Sequence, residues 1–362
     1  MKPFRSDQSP PSRREFLYSV SALALLQTVR PAAPGLKTFG IAYTSFPIRM
    51  RQATQGTDPS EGPGIPAEKF IDLCKSFGGD GCQMAFSQLA STDDDYLKGI
   101  RRAAEDKGMF LELSLGGQVL EDSSELTRVA SAAQQLGVTR ARVAINGRRY
   151  EEFLEMQKWK DFAHHWQQVL EQVEPTLKQH KLTIGIENHK EWLAGELAGM
   201  LKKASSPFLG ACVDFGNNLA LLEDSVEVAA ALAPYTVTTH LKDMAVAPSE
   251  EGFLLSEVPL GQGILPLAKI MEVLRRGRAD VRFCLEMITR DPLKVPYLDD
   301  KYWVTHDKRD EARVEKFKAS ILSKAPKAPL PKISGMSSQR MLAVEDDNIR
   351  RCVAYAKRTL GL

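Results

Sequence analysis

Short apolar segments alternate with segments of helical spacing along most of this chain, and this alternation restricts the fold most strongly. Eight segments have the length and composition of strands: Thr38–Phe46, Gly81–Phe86, Met109–Leu115, Thr139–Asn146, Leu182–His189, Leu209–Asn217, Tyr235–Asp243 and Val281–Ile288. Strands that alternate with helices are typical of a parallel sheet covered by helices. The pattern therefore predicts a protein of the α/β class.

The number of strand–helix units indicates how the sheet is arranged. An eighth helix is expected from about Asp310 to Lys324, which completes eight units within residues 38–324. A closed (β/α)8 barrel, the TIM barrel, typically needs about 250 residues. No GxGxxG motif follows the first strand, which argues against an open dinucleotide-binding sheet. We therefore predict a TIM barrel over residues 38–324.

The predicted barrel is followed by a helical extension, residues 325–362. Ala325–Ser334 is a Pro/Lys-rich linker, and Ser338–Thr359 has helical spacing. One face of this helix is apolar: Ile349, Cys352, Val353, Ala356 and Leu360. We expect this face to dock on the chain's own barrel; contact with a second copy, in a homodimer, is the alternative.

The N-terminal residues 1–33 have the pattern of an export signal rather than of a fold. Ser12–Leu17 reads SRREFL, a twin-arginine motif, and a modestly apolar run follows it as far as Val29. This run is too short and too polar to span a membrane. We predict recognition by the twin-arginine export machinery and a periplasmic location; an ordinary amphipathic helix is the alternative.

Composition excludes several classes of function. The formal net charge is +2, and removal of residues 1–33, with five basic and two acidic residues, would bring it to −1. Such a balance argues against a nucleic-acid partner. The five cysteines include no CxxC pair, so a zinc–thiolate site is not expected.

Four polar residues stand at or near the carboxyl ends of the fifth to eighth strand-like segments: Glu187, Asp214, His240 and Glu286. Active sites of TIM barrels lie at this end of the strands, and neighbouring strands are about 4.8 Å apart. Any one of the four could simply cap a loop. Because all four occur at matching depth on consecutive strands, and three carboxylates with one imidazole suit a divalent ion, we predict a metal site.

The motifs around these residues resemble those of the xylose isomerase-like TIM-barrel superfamily. The resemblance is closest to its sugar phosphate isomerase/epimerase group, which includes ketose 3-epimerases and inosose dehydratases. It covers about residues 38–320 and is carried by these segments: Ile186–His189 (IENH), Val213–Asn217 (VDFGN), His240–Asp243 (HLKD), Gly261–Gly263 (GQG) and Leu285–Met287 (LEM). The motifs are specific as a set but do not distinguish the group's members.

The resemblance implies a ligand set and a division of roles. One Mn²⁺-type ion, with Mg²⁺, Co²⁺ or Zn²⁺ as alternatives, would be held by Glu187, Asp214, His240 and Glu286. Glu187 and Glu286 would lie on either side of the substrate as acid and base. Other residues would contact the substrate. His189 would bind a hydroxyl, and Asn217 would also contact the substrate. Lys242 would contact an enolate oxygen unless it pairs with Asp243. Arg142 would contact the substrate if it faces the site rather than the helices, and Glu112 has the same ambiguity.

The leading functional prediction is a metal-dependent isomerase or epimerase of a sugar or sugar derivative. A lyase or dehydratase of a keto-sugar or keto-glycoside is the first alternative, and an exported sugar-binding barrel without catalysis is the second. None of the six histidines precedes His164. This absence argues against a three-zinc endonuclease site and against xylose isomerase itself, since both are expected to use early-strand histidines.

Overall fold

The computed structural model describes residues 37–54, 64–145 and 147–362. The predicted export signal lies outside the described residues. Among the described residues, no helix combines the length and apolar character needed to cross a membrane.

Eight parallel strands form a closed barrel, which confirms the predicted TIM barrel. In chain order they are β1 (Phe39–Ala42), β2 (Gly81–Ala85), β3 (Phe110–Gly116), β4 (Arg140–Ala144), β5 (Thr183–Glu187), β6 (Leu209–Asp214), β7 (Thr236–Leu241) and, after two further strands, β10 (Phe283–Leu285). The order around the barrel is β1-β10-β7-β6-β5-β4-β3-β2. Barrel strands that follow one another in the chain are therefore neighbours in the barrel, as the sequence pattern predicts.

Helices surround the barrel and fill the connections. They are α1 (Pro47–Thr54), α2 (Ala67–Phe77), α3 (Asp94–Asp106), α4 (Gln118–Glu121), α5 (Ser123–Gln135), α6 (Arg149–Glu152), α7 (Met156–Gln172), α8 (Glu174–His180), α9 (Ala194–Ala204), α10 (Ser225–Leu232), α11 (Leu267–Gly277), α12 (Glu311–Ser320) and α13 (Ser338–Thr359). Short 3-10 turns occupy Tyr43–Ser45, Phe86–Gln88, Asn217–Leu221, Ala233–Tyr235, Asp300–Trp303 and Leu322–Lys324. In α2, apolar side chains spaced three and four apart are buried, and Gly78 ends the helix at φ +96°, a conformation that favours glycine.

The first strand is shorter than the predicted Thr38–Phe46. The chain leaves the sheet after Ala42 and turns through Tyr43–Ser45. The Ser45 hydroxyl donates to the carbonyl of Leu285 at 2.9 Å and accepts from the amide of Met287 at 3.1 Å. These bonds hold the turn against the end of β10, so the local side-chain contacts outweigh the extended propensity of the segment.

The segment between β7 and β10 contains an antiparallel hairpin. Its strands β8 (Asp243–Ser249) and β9 (Gly252–Val258) pair with each other, and β9 also pairs with β11 (Leu293–Val295). The resulting three-stranded sheet follows the carboxyl ends of β7 and β10, so it lies at the end of the barrel where the candidate site is expected.

The C-terminal helix α13 docks on the barrel through the predicted apolar face. Ile349, Cys352, Val353 and Ala356 are buried in the main core. The Glu345 carboxylate accepts from the amides of Ile48 at 2.7 Å and Arg49 at 3.1 Å. The helix therefore caps α1, while a homodimer stays a prediction.

Candidate metal centre

The strand register brings the four predicted ligands to one level. Asp214 pairs directly with His240 across β6 and β7, and Glu187 is the last residue of β5. Glu286 follows β10, whose Leu285 pairs with Leu241. One donor atom from each of the four side chains lies within 4.8 Å of the others, and all four residues are buried. Sequence order alone thus located a spatial cluster.

His240 lies at the centre of this cluster. Its Nδ1 is 3.3 Å from Glu187 Oε1, 3.3 Å from Glu286 Oε1 and 3.7 Å from Asp214 Oδ2. Its Nε2 is 2.8 Å from Gln83 Oε1. In the neutral imidazole, a ring nitrogen that donates to an amide oxygen leaves the other nitrogen with a free lone pair, so Nδ1 is the candidate ligand atom once the ring has lost its second proton.

Two buried atoms of the cluster lack the partners that buried polar atoms normally have. Nδ1 of His240 and Oδ2 of Asp214 make no hydrogen bond, although Oδ2 is 2.8 Å from Lys242 Nζ, within ion-pair distance. Both atoms face the other carboxylates. Three carboxylates and an imidazole with a free lone pair suit a hard or borderline divalent ion, so the residues fit the predicted metal. This mixed oxygen and nitrogen set does not select one ion.

Cations hold both predicted catalytic carboxylates ionised. Burial alone would raise the pKa of Glu187, but Arg142 and His240 outweigh it and keep that pKa well below its ordinary value. For Glu286, burial is outweighed in the same way by His240 and Lys242, which lower its pKa. Burial dominates at Asp214 and raises its pKa. Both glutamates are therefore ionised near neutral pH in the metal-free protein.

Arg142 faces the site, which resolves the ambiguity left by the sequence. Its Nε donates to Glu187 Oε2 at 2.5 Å, and its Nη1 donates to Ser114 Oγ at 2.9 Å. Glu112 points into the barrel, where it accepts from Thr238 at 2.7 Å and from Gln83 at 3.2 Å. Its contact with Gln83 links it to the candidate site.

Lys242 does not pair with Asp243, the simpler of its two predicted roles. Its ammonium donates to Glu286 and lies 2.8 Å from Asp214 Oδ2. The Asp243 carboxylate instead accepts from four backbone amides, which belong to Met244, Gly261, Gly263 and Leu265. Asp243 thus fixes the loop that carries the GQG motif, and contact between Lys242 and substrate stays a prediction.

Asn217 lies between Glu187 and a buried lysine. Its Nδ2 donates to Glu187 Oε1 at 3.0 Å, and its Oδ1 accepts from Lys190 Nζ at 2.9 Å. Lys190 was not predicted as a site residue, although it follows His189 directly. Sequence periodicity could not find it, because it lies beyond the end of β5 in an irregular segment.

His189 is the most accessible of the predicted site residues, with 24% of its side chain exposed. Its Nδ1 is 3.7 Å from Glu191 Oε2, too far for a hydrogen bond, and burial raises the pKa of Glu191 to about 8. The predicted contact of His189 with a substrate hydroxyl is compatible with this exposure and stays a prediction.

The fold and the site define a (β/α)8-barrel protein with a buried carboxylate–imidazole centre suited to a divalent ion. A family model described as "Xylose isomerase-like TIM barrel" matches residues 71–307, well over half of the chain. The chain therefore belongs to the xylose isomerase-like TIM-barrel family.

Comparison with known proteins identifies enzymes among the relatives. The 3-oxo-isoapionate decarboxylase of Pectobacterium atrosepticum is 28% identical over 192 residues, which cover 52% of this chain and 66% of that protein, just under two thirds of its length. A crystal structure of D-psicose 3-epimerase in the presence of D-fructose superposes with a TM-score of 0.58 at 14% identity, covering 90% of this chain and 100% of the epimerase. A xylose isomerase-like TIM barrel protein from Mycobacterium smegmatis, in complex with magnesium, gives a TM-score of 0.56 at 14% identity over 81% of this chain and 99% of that chain. At these identities the structural likeness shows the fold alone.

Proposed function

We propose that this protein is a metal-dependent isomerase or epimerase of a sugar or sugar derivative. One observation carries the proposal: Glu187 and Glu286 lie 3.3 Å from His240 Nδ1, each with a cation of its own. Arg142 pairs with Glu187, and Lys242 pairs with Glu286. Two carboxylates beside one candidate metal position can act as base and acid when one of them is ionised and the other takes up a proton.

The chain's own residues can perform the proton transfer. When bound, a divalent ion supplies Lewis acidity that polarises a substrate ketone and makes the neighbouring C–H acidic. One of the two glutamates, as the carboxylate, removes that proton. The other must carry a proton when the substrate is bound, and it returns this proton from the opposite face, which inverts the carbon. The Lys242 ammonium, held between Asp214 and Glu286, can donate to the enolate oxygen as charge develops there.

A lyase acting on a keto-sugar or keto-glycoside is the second candidate, and one comparison favours it. The relative from Pectobacterium atrosepticum is by name a decarboxylase of a 3-oxo compound. Loss of CO₂ from a 3-oxo acid, or of a leaving group after proton removal, passes through the same kind of enolate as epimerisation. The site that supports the first proposal therefore also supports this one.

Exchange of substrate hydrogen with deuterated water tests the proposed function. A panel of ketoses and 3-keto-glycosides is incubated with metal-loaded protein, and deuterium next to the ketone is measured by NMR and mass spectrometry. Epimerisation keeps all substrate atoms other than the exchanged hydrogen, whereas a lyase releases a fragment or CO₂.

Two variants and a control decide whether the proposed residues act. We expect Glu187→Gln and Glu286→Gln each to lower exchange by about 10²-fold or more, since general acid–base groups contribute that much. Glu121→Gln, at an exposed glutamate on α4, is the matched control and keeps wild-type exchange. Wild-type rates in both site variants, or a protein that binds no divalent ion, would refute the proposal and favour a sugar-binding barrel.

We further propose Mn²⁺ as the ion and twin-arginine export as the route. This route carries folded proteins, so a metalloprotein can take up its ion in the cytoplasm before export. Metal analysis of the purified protein tests the ion. Cell fractionation of the wild type and of an Arg13→Lys/Arg14→Lys variant tests the route, and an unchanged periplasmic fraction in the variant would contradict it.

A further inference from the structure

A cleft of about 760 Å³ opens on the half of the barrel mouth that carries none of the four metal-site residues. Its inner end includes Ser114 of β3 and Arg142 of β4. Arg142 in turn contacts Glu187, so the cleft begins beside the metal centre. Its outer end includes Glu125 and Arg128 on α5, so it extends from the strand layer to the helix layer.

The volume of the cleft exceeds what the proton-transfer site alone requires. Pockets of about 300–1,000 Å³ bury most of the surface of a drug-sized ligand. The reacting carbons of a ketose need only the neighbourhood of Glu187 and Glu286, which lies beyond the inner end. The remaining length is therefore available for a substituent on the sugar.

The lining of the cleft has the chemistry of a carbohydrate site. Hydroxyl and amide groups are contributed by Ser87, Ser91, Thr92 and Gln118, and aromatic rings by Tyr43 and Phe86. Such groups can hydrogen-bond sugar hydroxyls and pack on the apolar face of a ring.

Charge in the cleft decides between a neutral and an anionic substituent. Among the described residues that line it, Arg128 and Arg142 are the cations. Arg128 donates to both carboxylate oxygens of Glu125, at 2.8 and 2.6 Å, and Arg142 is paired with Glu187. A phosphate group needs cations or amides that are not already paired. The cleft therefore suits a neutral glycosyl group better than a phosphate.

We infer that the substrate is a neutral keto-sugar that carries a glycosyl substituent, with its ketone end at the metal centre and its substituent in this cleft. The inference rests on the proposed function for the position of the ketone. It names the substrate class that the same site would accept.

Binding of three related ketoses to Mn²⁺-loaded protein, measured by titration calorimetry, tests the inference. D-Fructose has no substituent, isomaltulose carries a glucosyl group at O6, and D-fructose 6-phosphate carries a phosphate at the same oxygen. We expect isomaltulose to bind about tenfold or more tightly than D-fructose, which corresponds to two ordinary hydrogen bonds. D-Fructose 6-phosphate should bind no tighter than D-fructose.

Filling the outer part of the cleft should remove this advantage. Ala90 is exposed and lines the cleft, so Ala90→Trp should reduce isomaltulose affinity to that of D-fructose, and Thr92→Trp provides a second variant at an exposed position. Ala312→Trp, at an exposed alanine of another cleft on α12, is the control and should keep the difference.

Three results would overturn the inference: equal binding of isomaltulose and D-fructose, an advantage that survives both cleft variants, or tighter binding of D-fructose 6-phosphate than of isomaltulose. Because binding is measured, the proposed function can fail separately. If the cleft variants change isomaltulose binding but no ketose exchanges deuterium, the assignment of the cleft stands and the proposed enzyme activity is refuted. If a ketose exchanges deuterium but isomaltulose binds no tighter than D-fructose, the proposed activity stands and the assignment of the cleft is refuted.

Discussion

Nε2 of His240 lies 2.8 Å from Oε1 of Gln83, on a strand that is not adjacent to β7 in the barrel. Gln83 in turn donates from Nε2 to Glu112 at 3.2 Å, which orients its amide. The contact fixes the histidine ring and directs Nδ1 towards the carboxylates. Gln83 is therefore part of the candidate metal centre through its contact with His240.

Substitution of Gln83 should weaken metal binding. Removing a partner that orients a ligating histidine typically lowers metal affinity about 10- to 100-fold. We expect a loss of this size for Gln83→Leu, measured by competition with a chelating dye. Gln168→Leu, at an exposed glutamine of α7, is the control and should bind metal normally. Unchanged affinity in Gln83→Leu would show that the ring is held by other contacts.

Metal binding should release a proton from His240. Burial opposes a charge on this ring, but Glu286 and Glu187 outweigh it and raise the pKa of His240 to about 9 in the absence of an ion. A ligating nitrogen must be deprotonated, so the apparent affinity should rise about tenfold per pH unit below pH 9. Calorimetry at pH 7.5 in two buffers of different ionisation enthalpy should show release of about one proton.

The same pKa gives the metal-free protein a pH-dependent stability. The pKa of His240 in the folded protein, about 9, lies above its ordinary value of 6.5. Protonation of His240 therefore stabilises the folded state fully below pH 6.5, and this stabilisation is lost as pH rises through 9. Saturating metal should remove this dependence, because the ligand nitrogen is then unprotonated throughout. A metal-free protein whose stability does not fall between pH 7 and 9 would contradict the assignment.

Lys190 should act by positioning Asn217. Its ammonium holds Asn217 Oδ1, which directs Nδ2 towards Glu187 Oε1. In Lys190→Met the Asn217 amide loses this constraint. We therefore expect kcat of the deuterium exchange to fall about tenfold, with little change in KM. A fall of this size corresponds to the free energy of one hydrogen bond to a charged group. Lys190→Arg should recover part of the loss, and Lys316→Met, at an exposed lysine of α12, should have no effect. A change in KM alone would indicate direct substrate contact instead.

The sequence predicts the elements of this fold better than it predicts contacts across the barrel. Helix α13 was predicted with its observed bounds, since its apolar spacing coincides with the buried face. The four acidic and imidazole residues were found because successive strands of a parallel barrel are neighbours, so order along the chain becomes proximity. Gln83 was not found, because β2 is separated from β7 by β1 and β10, and periodicity does not tell which side chains meet inside the barrel. Lys190 was missed because no regular element positions it.

The C-terminal helix should make the stability of the barrel depend on pH through Glu345. This carboxylate is fully buried where it caps α1, and burial raises its pKa from 4.5 to about 7 despite the two amides that it accepts from. Between these values the folded protein binds a proton that the unfolded chain does not, so stability falls as pH rises from 4.5 to 7, by on the order of 3 kcal/mol.

Urea denaturation followed by circular dichroism at pH 5, 6, 7 and 8 measures this slope. Glu345→Gln, which cannot titrate, should remove most of it, whereas Asp347→Asn, at an exposed carboxylate on the same helix, should leave it unchanged. If Glu345→Gln keeps the wild-type slope, the pH dependence arises elsewhere and the cap formed by α13 does not sense pH.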